Sequence, residues 1–123
     1  MRERNWYKQN RWRLEHQLPE RKTGQLPTLD ELWETEWNPT FDTLARGKMV
    51  LAAFRYGLLR NNNVFDFIES MKRKIERYEQ THNLELMVDV RNYAMLEFTK
   101  PKYADSYYHN EDDTEHAVKK NNL

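Results

Sequence analysis

Val64-Phe-Asp-Phe-Ile-Glu-Ser-Met-Lys-Arg-Lys-Ile-Glu-Arg-Tyr78 and Leu84-Glu-Leu-Met-Val-Asp-Val-Arg-Asn-Tyr-Ala-Met-Leu-Glu-Phe98 together decide the fold. In the first segment Val64, Phe67, Ile68, Met71, Ile75 and Tyr78 recur every three or four residues, the seam of a packed helix. Glu69, Lys72, Arg73, Glu76, Arg77 and Gln80 make up its solvated side. In the second segment Leu84, Met87, Val88, Val90, Ala94, Met95, Leu96 and Phe98 cover most of the circumference, and Pro101 stops the helix. His82-Asn83 turns the chain between them, so the pair reads as a helical hairpin.

Upstream, Phe41, Leu44, Ala45, Met49, Ala52, Tyr56 and Leu59 keep helical spacing. Val50, Leu51, Phe54 and Leu58 fill the intervening positions. A helix apolar nearly all round is expected to be central. Arg60-Asn-Asn-Asn63 reads as a polar loop. Pro19, Gly24, Pro27 and Pro39 make the first third irregular. Within it, Thr28-Leu-Asp-Glu31 has the form of a capping box, opening a short acidic helix with Leu29, Leu32, Trp33 and Trp37 on one face. Met1–Leu18 is basic and aromatic, a short helix or an arm. Tyr103–Leu123 is an aromatic, then acidic tail, ordered in its first half. The expectation is an all-α bundle of three or four helices, with residues 41–59, 64–81 and 84–98 as its core. It is read as one domain, 1–123, with an N-terminal arm and acidic helix (1–40), a helical core (41–100) and a tail (101–123).

Composition sets limits on function. Only 38% of the 123 residues are hydrophobic and 33% are charged, with a mean hydropathy of −1.09. The core should therefore be thin, and a homodimer or larger assembly would bury more. Lys+Arg 20 balances Asp+Glu 20, so no global field draws the chain to nucleic acid. The charge is nonetheless sorted: residues 46–60 hold Arg46, Lys48, Arg55 and Arg60 with no acid, and residues 104–116 hold five acids with no Lys or Arg. Cysteine is absent, which removes thiolate catalysis, disulfides and Cys-ligated metal. No apolar run approaches the ~20 residues a bilayer requires, and residues 1–13 lack a signal-peptide core; a cytoplasmic location is expected.

Several residue groups could carry chemistry. Glu85, Asp89 and Asn92 stand at i, i+4 and i+7, a polar stripe on an apolar helix. Such a stripe can hold hydrated Mg²⁺ or grip ligand hydroxyl and amino groups. It can equally face water, or tie Asp89 to Arg55 or Arg91. Arg55 beside Tyr56 offers a guanidinium and an aromatic plane for phosphate and base, or a structural pair with Asp89 or Asp66. The Trp6–Arg13 segment mixes cations with rings, as single-strand binders do, or docks on an acidic neighbour. Trp33 and Trp37 fit a core or subunit contact better than a ligand cage. His109, Glu111, Asp112, Asp113, Glu115 and His116 are a solvated acidic tail rather than a metal site. Three glycines leave no room for a phosphate-cradling loop.

Glu85-Leu-Met-Val-Asp-Val-Arg-Asn-Tyr-Ala94 resembles the helix of the MazG-like all-α NTP pyrophosphohydrolases, in which Glu-x-x-Asp binds Mg²⁺. The resemblance covers about residues 41–100. It implies Asp89 and Glu85 as metal ligands, with Glu76-x-x-Glu79 as the upstream pair and Mg²⁺ as cofactor. The spacing here is one residue longer, Glu-x-x-x-Asp; Glu79 lies ten residues before Asp89 across a turn, and Glu69 falls on the solvated side. Lys48-Met-Val-Leu-Ala-Ala-Phe-Arg-Tyr-Gly57 and Val88–Phe98 also look like segments of short phage and prophage proteins, which often sequester nucleotide signals or block a host effector. Three functions follow as expectations. The first is a non-catalytic, cofactor-free protein that sequesters a nucleotide-derived ligand through Arg55, Tyr56, Asp89 and Asn92, or blocks a host defence component. The second is a Mg²⁺-dependent pyrophosphohydrolase using Glu76, Glu79, Glu85 and Asp89. The third is a protein–protein inhibitor acting through aromatic and acidic surfaces.

Overall fold

The computed structural model describes residues 2–15, 27–109 and 120. Among these the chain is all-α, with helices α1 (Arg2–Glu15), α2 (Leu29–Thr35), α3 (Pro39–Tyr56), α4 (Phe67–Thr81) and α5 (Glu85–Thr99). No helix among the described residues is long and apolar enough to cross a membrane. The chain divides into two compact units. One comprises the described parts of Met1–Trp37 and Tyr107–Leu123; the other is Asn38–Ser106.

In the first unit α1 is a basic helix that touches α2. Thr28 caps α2 as the sequence predicts: its Oγ1 accepts the Glu31 N–H at 3.1 Å, and its own N–H donates to Glu31 Oε1 at 3.2 Å. Trp33 and Trp37, one turn apart, stack with centroids 5.6 Å apart and planes 12° from parallel. Of the tail's candidate residues only His109 is described; Glu111, Asp112, Asp113, Glu115 and His116 lie outside the described residues.

The second unit is built on the expected α4–α5 hairpin, with α3 laid against α5. Helices α3 and α4 each start on a side-chain cap. Asn38 Oδ1 accepts the Phe41 N–H at 2.9 Å, and Pro39 occupies the first turn of α3. Asp66 Oδ1 accepts the Glu69 N–H at 3.0 Å to open α4. His82 closes α4 in the left-handed conformation at φ 62°, and Asn83 Oδ1 then receives the Glu85 N–H at 3.1 Å.

Two expectations about this unit are corrected. The hairpin's first helix begins at Phe67, not Val64. Asn62 Oδ1 accepts the N–H groups of both Val64 and Phe65, a local turn that outcompetes helix and leaves Val64 exposed. Nor is α3 central, and it ends at Tyr56 because Gly57 takes φ 84°. The centre is α5, which contributes Leu86, Val88 and Asn92 to the buried set. Helix α3 contributes only Ala45. The core is thin, as composition implies: Ala45, Phe67, Leu86 and Val88 are its buried apolar residues among those described.

Candidate functional site

Two members of the predicted polar stripe of α5, Asp89 and Asn92, point inward, into the seam with α3 and α4. Asp89 is 15% exposed at its side chain and Asn92 is 8% exposed overall. The Asp89 carboxylate receives Lys48 of α3 at 2.5 Å on one oxygen and Lys74 of α4 at 3.1 Å on the other. One carboxylate thus joins all three helices of the unit. Glu85, more exposed, takes the same Lys48 ammonium at 3.2 Å. Burial works against the charged Lys48, but hydrogen bonds and attraction from Asp89 and Glu85 outweigh it and hold its pKa above 10.5.

One turn further along α5, Asn92 Nδ2 donates to the Ala45 carbonyl at 2.9 Å, and Arg91 donates to Asn92 Oδ1 at 3.1 Å. The Ala45 carbonyl belongs to the middle of α3, so this bond fixes the register between the two helices. Arg91 also reaches Asp42 at 3.1 Å, and Arg46 pairs with Asp42 at 2.9 Å. The alternative pairing of Asp89 with Arg55 or Arg91 is therefore corrected: lysines neutralise Asp89, and Arg91 turns to Asp42. Sequence reading missed Lys48, Lys74 and Asp42. Lys74 was legible, because it falls between Met71, Ile75 and Tyr78 in the apolar seam of α4.

The other predicted residues lie apart from this network. Arg55 and Tyr56 sit exposed at the end of α3, with the guanidinium 5.8 Å from the ring centroid. Tyr56 meets Phe65 edge-on at 5.7 Å. Glu76 and Glu79 are exposed on the outer side of α4. Among the described residues no three His, Asp or Glu side chains converge as a metal centre would need. What Asp89 and Glu85 could offer a cation, Lys48 and Lys74 already occupy.

A cavity of about 310 Å³ lies elsewhere in this unit, between the 62–67 loop and the end of α5. Asn62, Phe65, Glu97, Lys100 and Lys102 are among its lining residues, and none of Arg55, Tyr56, Asp89 or Asn92 is. Its two lysines are satisfied internally, whereas the buried Glu97 Oε1 has no hydrogen-bond partner among the described residues. Lys100 donates to the Asn62 carbonyl at 2.5 Å, and Lys102 pairs with Asp66 at 2.7 Å. The hydrogen bond from Lys102, with that from the Glu69 N–H, lowers the Asp66 pKa below 3.8.

The feature the sequence misassigned is the outer side of α3. Leu44 is 54% exposed, Val50 51%, Leu51 63% and Phe54 81%. These side chains form one apolar strip, opposite the side on which Ala45 is buried. Single exposed apolar residues are ordinary, whereas four on one side of one helix are a concentration that calls for an explanation. The chain matches no family model, no curated protein and no solved structure.

Proposed function

We propose that the chain is a cytoplasmic, non-catalytic protein-binding module that works by occupying a partner protein through the outer side of α3. The exposure of Leu44, Val50, Leu51 and Phe54 on a single helix is the observation that carries this reading. The inner polar network supports it from the other direction. Asp89 and Asn92 have their hydrogen-bonding capacity engaged by Lys48, Lys74, Ala45 and Arg91, so they organise the bundle and leave little for a ligand. The protein–protein inhibitor of the sequence reading is thus favoured, with its surface moved from the aromatic and acidic surfaces to the apolar side of α3.

One observation favours a second reading. The exposed Arg55 guanidinium beside the Tyr56 ring is a phosphate-and-base grip, which supports capture of a nucleotide-derived ligand.

Two measurements on the full chain separate the two. Immobilised wild-type protein should retain a protein partner that Leu51→Asp and Phe54→Asp both release. A panel of linear and cyclic nucleotides, with and without Mg²⁺, should leave Tm unchanged. A nucleotide that raises Tm by several degrees, with partner capture insensitive to both substitutions, supports the second reading and removes the first.

A further inference from the structure

The strip on α3 has the spacing of a helix-pairing seam. Leu44, Gly47, Leu51 and Phe54 follow one another at intervals of three, four and three residues. That period keeps one strip of a helix against another helix along its length. Val50 widens the strip on one side, and Arg55 stands at its other edge, next in sequence to Phe54.

Gly47 is the informative member. A glycine inside a helix costs about 1 kcal/mol relative to alanine. Nothing among the described residues requires it, because a Cβ added at Gly47 meets none of them within 4 Å. A second helix crossing the strip does supply a reason, since the missing side chain lets the two backbones approach closely.

Charge identifies the occupant. Residues 43–65 contain Arg46, Lys48, Arg55 and Arg60 and no Asp or Glu. Lys48 is engaged by Asp89 and Glu85, whereas Arg55 and Arg60 are exposed and pair with no acid among the described residues. A second copy of the strip would set cationic edge against cationic edge, with no carboxylate in residues 43–65 to receive either. An acidic edge resolves this.

Resting on the protein-binding reading above, we propose that α3 receives an amphipathic helix of a partner protein, with an apolar stripe that fills the Leu44–Phe54 strip and Asp or Glu along the edge facing Arg55. Its apolar residues would straddle Gly47, and its carboxylates would pair with Arg55 and Arg60. Affinity comes chiefly from the apolar stripe, while selectivity and salt dependence come from the arginines.

Two labelled helical peptides, each about three heptads long with the same leucine stripe, test this; one is edged with Glu and the other with Lys. Each is titrated into the full chain by fluorescence anisotropy, and the chain's own association is followed by sedimentation. The Glu-edged peptide should bind at least about tenfold more tightly than the Lys-edged one. Phe54→Asp should abolish binding, and Arg55→Glu should reverse the preference between the peptides. Leu51→Gln, a milder change, repeats the Phe54 test should Phe54→Asp disturb the fold by circular dichroism. Equal binding of both peptides would overturn the acidic partner while leaving the docking surface intact. A dimer that Phe54→Asp dissociates, with neither peptide bound, makes a second copy the occupant and also overturns the proposal. Monomeric protein that binds neither peptide overturns it outright. The underlying reading fails separately, when a captured protein is retained by Phe54→Asp.

Discussion

Helices α3 and α4 make an instructive pair, since both flank α5 and both are rich in apolar residues. In α4 those residues lie on one side, with Phe67 buried, Ile68, Met71 and Tyr78 partly buried, Ile75 45% exposed, and Glu76 and Glu79 in water. In α3 apolar residues lie on two sides, and within its own unit only one of them packs on another helix. The inner side carries Ala45, Lys48 and Asp42, each tied to α5. The outer side carries Leu44, Leu51 and Phe54, exposed. An all-apolar circumference therefore indicates two contacts, and the second belongs to another molecule in the account given above.

Substitutions at each position sharpen or break that contrast. The largest effect is expected in the hairpin: Phe67→Ala removes a buried ring facing Tyr93 at 6.2 Å and should cost about 3 kcal/mol in chemical denaturation. Next comes the inner side of α3. Asn92→Ala removes the bond that ties α5 to the Ala45 carbonyl, which keeps its own helical partner, and should cost about 1.5 kcal/mol, with the loss concentrated in hydrogen exchange along α3. A smaller change of opposite sign is expected at Gly47: Gly47→Ala should stabilise the chain by about 1 kcal/mol while weakening the acidic peptide, because the added methyl holds the backbones apart. Phe54→Ser should shift stability by less than about 0.5 kcal/mol, since its ring already lies in water. Were Phe54→Ser instead as damaging as Phe67→Ala, the outer side would be core and the contrast would collapse.

The smallest effect is a pH dependence. The folded pKa of Lys48 lies above its ordinary 10.5, so its ion pairs stabilise the fold fully below that value. Their contribution should fade as pH rises through the folded pKa, and Lys48→Met should flatten the alkaline limb of a stability–pH profile. At the acid end the sign reverses. Asp66 lies below 3.8 when folded, so its stabilisation is complete above that pH and disappears as pH falls through the lowered value.

Much of this fold was legible in the residues. The capping box at Thr28, the hairpin turn at His82-Asn83 and the stop before Pro101 each rest on local chemistry that few alternatives can satisfy. Local chemistry also explains the misread start of α4. Asn62 lay in a run of three asparagines, and only the structure shows which of them folds back onto Val64 and Phe65.

The candidate site was half legible. That Asp89 and Asn92 turn inward followed from the greasiness of their helix. Their partners did not follow, because Lys48, Lys74 and the Ala45 carbonyl come from other helices, and periodicity within one helix is silent about its neighbours. The same silence hid the outer strip of α3. Its spacing was visible, but whether it met α5 or solvent depended on how many helices the unit could place around it.

The central claim is that the outer side of α3 is a docking surface for an acidic helix. Its most direct test is a titration of the isotope-labelled full chain with the Glu-edged peptide, followed by backbone amide shifts. The account predicts shifts centred on Leu44, Gly47, Leu51, Phe54 and Arg55, with the cavity residues Asn62, Glu97 and Lys100 unmoved. Shifts centred on that cavity or on α5, or none at saturating peptide, would contradict it.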